Sequence, residues 1–189
     1  LVALGPSSSV QLAAASGAPV VNLLRGWLKM SAGKTVTGQV LAAAGALEVR
    51  ASATPASGIV YLTQDTTEVF ADLGTLSVSE KDKGGDAQPV LREQYALRRG
   101  AAGLQVAPRP PKRFISEMPR NFFDPLVAVA GRTAAAQAAP LREVTAGDLI
   151  GWGAAPPLLR KRLVAQFSSR LADPGFAKDA ETVLGDNAD

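Results

Sequence analysis

Apolar and polar residues alternate in short stretches through the first hundred positions, and the alternation then stops. Val2-Ala3-Leu4 leads into Gly5-Pro6-Ser7, a turn signal. Ser9-Val10-Gln11-Leu12 has the period-two pattern of a half-buried strand. A strongly apolar segment carrying Trp27 runs from Val20 to Met30, and a turn is expected around Ser31-Ala32-Gly33-Lys34. Val36 to Leu41 is a further strand candidate, and Ala46-Leu47-Glu48-Val49-Arg50 alternates cleanly. Gly58 to Leu62 and Thr67 to Ala71 are rich in β-branched and aromatic residues, which suit a pleated surface. Leu76-Ser77-Val78-Ser79, Gln88 to Leu91 and Gln94 to Leu97 complete the series, with a polar loop at residues 82–86. Short strands spaced by roughly 8 to 12 residues predict a β sandwich, a barrel or a solenoid-like stack.

The character changes after residue 107. Ala107-Pro108-Arg109-Pro110-Pro111-Lys112-Arg113 reads as stiff and extended, because proline fixes φ. Phe114 to Met118 predicts one helical turn, and Asn121-Phe122-Phe123-Asp124-Pro125 an anchor packed back on the β domain. Residues 128–140 are alanine-rich and suit either helix or linker. Thr145-Ala146-Gly147-Asp148 has the spacing of a capping box. Pro156-Pro157 suits the first turn of a helix over about 157–171, on which Leu159, Leu163 and Phe167 form one apolar stripe. Asp173-Pro174-Gly175 should break that helix, and a last one over about 176–184 presents Phe176, Ala180 and Leu184. The predicted organisation is mainly β. A multi-stranded sandwich or solenoid-like domain (1–107) is followed by a Pro/Ala-rich linker with an anchoring segment (108–144) and a small α-helical C-terminal region (145–189).

Composition narrows the chemistry. The 189 residues are 47% hydrophobic but only 5% aromatic, so aliphatic residues and alanine runs must fill most of the core. A net charge of +3, nearly balanced along the chain, is not the clustered basic footprint of a nucleic-acid binder. The one local cluster, Arg160-Lys161-Arg162, reads as a solvated helix face. With neither cysteine nor histidine, disulfides, thiol nucleophiles, Ser-His-Asp triads and HExxH zinc sites are all excluded within this chain. No apolar run approaches the roughly 18 to 20 residues of a membrane span. The first eleven residues read as a strand entered in mid-domain, so the expectation is that a targeting segment preceded them.

Motifs for catalysis are weak. Ala32-Gly33-Lys34-Thr35 ends like a phosphate-binding loop, but Leu28 stands where the first glycine belongs, so a strand-connecting turn is the better reading. Asp65, Glu68 and Asp72 form a loose acidic group without the spacing of a calcium loop. These readings assign no catalytic residue, no metal and no cofactor.

The order of elements resembles the FecR domain of bacterial envelope proteins. Leu4-Gly5-Pro6-Ser7-Ser8-Ser9-Val10-Gln11-Leu12 is similar to its glycine-proline-serine and strand element, and Val21 to Met30 to the apolar strand that follows. Ala53-Thr54-Pro55-Ala56, then Thr67 to Val78 around Gly74, and finally Leu91 to Leu97 match the later elements in order. The resemblance implies a periplasmic or envelope-located all-β domain that acts by protein contact. The regulators that give the family its name relay a receptor's state across the inner membrane to a sigma factor. This chain departs from them in having no membrane-spanning segment and a tail that reads as helical.

The resulting expectation is a non-catalytic periplasmic adaptor, scaffold or signalling domain whose partners are other envelope proteins. A structural accessory subunit of an envelope assembly and a glycan- or peptidoglycan-binding module are the alternatives. Trp152, Leu159, Leu163 and Phe167 are the candidate contact surface, although the same stripe suits packing within the chain. On this division the β domain would stay folded without residues 108–189.

Overall fold

The alternating segments pair into one eleven-stranded sheet. In chain order the strands are β1 (Val2–Leu4), β2 (Ser9–Ala15), β3 (Ala18–Ala32), β4 (Val40–Ala44), β5 (Leu47–Ala51) and β6 (Ala56–Leu62). There follow β7 (Thr66–Leu73), β8 (Leu76–Glu80), β9 (Gln88–Val90), β10 (Tyr95–Arg99) and β11 (Gln105–Ala107). The computed structural model describes residues 1–15, 18–33, 40–81, 86–127, 142–153 and 163–185, and it divides into two units, Leu1–Leu126 and Val127–Asp189.

Strand β3 organises the first unit. Its first half pairs with β2 and, in parallel, with β4; its second half pairs with β1 and β6. The change of partners falls at Gly26, whose φ of 88° lies where side-chain-bearing residues are strained. A Cβ there would also sit 2.5 Å from the Ser8 hydroxyl. The sheet therefore rolls, nearly closed, into two facing layers that share β3. One carries β6, β7, β10 and β11 beyond β3; the other carries β4, β5, β8 and β9. The layers meet in a core that includes Leu23, Leu28, Met30, Leu47, Val49, Val60, Val69, Leu76 and Val78. Along β5 the alternation is complete, with Leu47, Val49 and Ala51 buried and Glu48 and Arg50 half-buried. Small residues let the layers close: a Cβ on Gly58 would fall 2.7 Å from a Leu76 methyl. The nearly closed, barrel-like sheet is not a solenoid, whose successive strands would stack in order, because β3 pairs with β6, β5 with β8 and β7 with β10.

One strand expectation needs correction and another lies largely outside the described residues. Val36 to Leu41 was expected to pair; the strand observed is Val40–Ala44, and residues 34–39 lie outside the described residues. In β2, Gln11 is buried and hydrogen-bonded by the Asn22 amide at 3.4 Å, whereas Leu12 is 74% exposed. A bulge between Ser9 and Val10 and the edge position of β2 override the simple alternation there.

The segment after β10 covers the outer face of the first layer. Strand β11 pairs with β10, and helix α1 (Lys112–Glu117) and a 3-10 turn (Arg120–Phe122) follow. Phe114, Met118 and Phe122 are buried with Trp27, Ile59 and Tyr95 in a second core. The anchor expected at residues 121–125 therefore does pack back, through Phe122. Full burial of a phenylalanine contributes about 1.5–3 kcal/mol. Residues 108–126 are accordingly part of the β unit, whose boundary falls at Leu126 and not at 107, and their loss would bare an apolar face.

The second unit has a 3-10 turn (Ala146–Asp148) and helices α2 (Leu149–Gly153), α3 (Leu163–Leu171) and α4 (Pro174–Gly185). The capping box is present: the Thr145 N–H donates to the Asp148 carboxylate at 2.9 Å. Arg142 donates to both oxygens of that carboxylate, at 2.6 and 2.8 Å, and holds it well below the usual carboxylate range. Pro174 does not lie in the break but opens α4, where its missing N–H is harmless. The Asp173 carboxylate accepts from the Gly175 N–H at 2.9 Å just before it. Residues 128–141 and the Pro156-Pro157 pair lie outside the described residues.

A chain ending at Leu126 should keep a cooperative melt and a β circular dichroism spectrum. A chain ending at Ala107 should lose the cooperative transition and associate. An unchanged melt for the shorter chain would show that the cover is dispensable.

Candidate interaction site

The four residues expected to make contacts all fall in the second unit. Trp152, on α2, and Phe167, on α3, pack edge to face with ring centroids 5.1 Å apart. Phe167 also rests on the unit's own core of Leu149, Phe176 and Ala180. Arg170, one turn further along α3, lies over the Phe176 ring at 4.8 Å from its centroid. Trp152 and Phe167 are thus used in part within the unit. Leu163 is the first residue of α3, and Leu159 lies outside the described residues.

Sequence reading missed the polar anchors under the cover of the first unit. Lys29 on β3 and Glu68 on β7 are each only 1% exposed, and both lie on the layer face turned away from the main core. The Lys29 ammonium donates to the backbone carbonyls of Phe122 at 2.5 Å and Asp124 at 2.9 Å. It also pairs with the Asp72 carboxylate at 2.9 Å. One Glu68 oxygen accepts from the Tyr95 hydroxyl and from the Arg113 guanidinium, while the other is buried without a partner among the described residues. Burial and the Glu68 carboxylate together push the Tyr95 phenol well above its usual range. Arg113 bridges onward to Glu117 at 2.8 Å, so α1 is tied to the sheet through its first turn. The available signal was Trp27 beside Lys29. A large aromatic on the alternate face of a strand whose Leu28 and Met30 already face the core means that both faces are covered.

The four ends of the two layers differ in how well they are blunted. Strands β9 and β11 are three residues long, and β9 contains Pro89. Strand β1 is equally short. Strand β2 is seven residues, Ser9–Ala15, with no charge and no proline, and among the described residues it pairs with β3 alone. Among the described residues its outer edge thus has no strand partner, and such an edge is of the kind that accepts another strand. Leu1, Val2, Leu4 and Leu12 add exposed apolar side chains along the same N-terminal run. Among the described residues there is no helix long and apolar enough to cross a membrane and no cluster of three or more metal-ligating side chains.

No protein-family profile matches the chain, and no curated protein matches it in sequence. A similar solved structure is a crystal structure described as a "putative anti-sigma factor" from Parabacteroides distasonis, 12% identical with a TM-score of 0.36. The match covers 48% of this chain and 41% of that one, so the chain spans well under half of that protein. A likeness of this degree carries no inference about function. The resemblance to the FecR domain rests on the residues quoted above.

Removing one partner of a buried charge leaves the other uncompensated and costs about 3–5 kcal/mol. Lys29→Ala should reach that range in urea denaturation and speed amide exchange across residues 112–124. Asp72→Ala leaves the buried ammonium without its countercharge and should cost a similar amount. A loss below about 1 kcal/mol for Lys29→Ala would contradict its assignment as the anchor.

Proposed function

We propose that this chain is a non-catalytic protein-interaction module of the bacterial envelope that receives a strand from a partner protein along β2. The observation that carries this reading is the edge of β2, which among the described residues has no second strand beside it: seven uncharged, proline-free residues, where the other edges are blunted. Strand addition draws affinity from main-chain hydrogen bonds, and apolar side chains flanking the edge add selectivity. The proposed envelope location follows from the FecR-like order of elements in residues 1–100, as does an adaptor or signalling role. The absence of histidine and cysteine also favours contact over catalysis. A structural subunit would use the same edge, but with copies of the chain as partners, and its size-exclusion mass would be that of a large assembly.

The test places a photo-crosslinking residue at Leu12 in the full chain and recovers adducts from envelope fractions. The expected result is one stoichiometric envelope protein, crosslinked through an extended segment. Leu12→Lys should weaken the purified complex about tenfold or more, and a chain ending at Leu126 should still bind. If binding survives Leu12→Lys unchanged, the edge is not the site; if it vanishes on truncation at Leu126, the helical unit carries the contact instead.

A further inference from the structure

A cleft of about 520 Å³ opens where the β3 bend meets the turns before β2 and after β6. Ser7, Arg25, Trp27, Tyr61, Thr63 and Gln64 contribute to its lining. Trp27 and Tyr61 stack beneath it, with centroids 4.1 Å apart and planes 17° from parallel. Trp27 is buried against Phe114 and covers one face of Tyr61, so half-buried Tyr61 is the more exposed ring of the pair. The bend and the turn are tied together: the Trp27 N–H donates to the Ser8 hydroxyl at 2.8 Å, and that hydroxyl donates to the Pro6 carbonyl at 3.3 Å. The cleft wall is therefore already ordered, which lowers the entropic cost of binding.

The polar groups facing this cleft are unspent. Arg25 is exposed and makes no ion pair or hydrogen bond among the described residues. The Tyr61 hydroxyl, the Ser7 hydroxyl and the Gln64 amide likewise have no protein partner among them. Thr63 is committed to its own turn, accepting from the Thr66 N–H at 3.2 Å.

We propose that this cleft binds an acidic saccharide, with a sugar ring on the Tyr61 platform and its carboxylate on Arg25. The C–H face of a pyranose carries slight positive charge and complements the electron-rich face of an aromatic ring. Guanidinium and carboxylate match in a bidentate pair. Ser7 and Gln64 supply uncharged donors and acceptors for ring hydroxyls. A proline-rich peptide fits less well. Grooves for such peptides are lined by aromatic side chains standing apart, and here the two rings close on each other. This site is independent of the β2 edge and stands whether or not that edge takes a strand.

The test is calorimetric titration of the full chain with tetragalacturonate, with neutral maltotetraose, and with an acidic proline-rich peptide. The expected result is saturable binding of tetragalacturonate with a Kd below about 1 mM, at least about tenfold tighter than maltotetraose. Arg25→Gln and Gln64→Ala should each weaken it, the former about tenfold, with melting temperatures unchanged. Nuclear magnetic resonance shifts should move at the Trp27 indole and not at Trp152. Absence of saturable binding, equal binding of the neutral sugar, indifference to Arg25→Gln, or preference for the peptide would each overturn the proposal.

Discussion

The first unit depends on two buried charges, Lys29 and Glu68, that the sheet cannot satisfy by itself. Each sits on the outer face of a layer that also carries Trp27, Ile59 and Tyr95. Water cannot reach them once that face is covered, so the cover must supply their partners. It does so with two backbone carbonyls for the ammonium and a guanidinium for Glu68, completing what the sheet begins with the Asp72 carboxylate and the Tyr95 phenol. A purely apolar cover could slide over an apolar face with little change in energy. These polar contacts fix its register and give Phe114 and Phe122 a single seating.

Much of this architecture was legible as alternation. Strands β5 and β8 read directly from it, because each has one face toward the core and one toward less buried surroundings; β6 and β7, covered on both faces, read instead from their β-branched and aromatic residues. The capping box at Thr145 and the returning anchor at Phe122 were legible for a similar reason, since both are local signals. What escaped was non-local. Gln11 and Leu12 read as an ordinary strand because a bulge has no signature in residue types. Residues 107–113 read as a stiff linker because proline marks extension without saying what the chain extends along. Nothing in the sequence marked Lys29 and Glu68 as buried anchors, because a charge on the alternate face of a strand is nearly always wet.

The surfaces that matter for function were the least legible. The candidate stripe on the helical tail drew attention through its periodicity, yet periodicity reports a packing face and not who occupies it. The edge of β2 and the cleft at the β3 bend have no periodic signal. An edge exists only once the neighbours of every strand are known, and the cleft brings together Ser7, Arg25, Tyr61 and Gln64 from three separate segments.

The reach of the Lys29 anchor also bears on how the chain acquires its fold. Lys29 and the carbonyls it binds are separated by 93 and 95 positions. Contacts so distant along the chain form late, after shorter loops have closed. During that interval the sheet's outer face stands open with Trp27, Ile59 and Tyr95 on it, a surface prone to self-association. The same lysine and glutamate that later demand partners are then hydrated, and they act as gatekeepers against misassembly. Groups that look like a burden on the finished molecule thus protect the unfinished one.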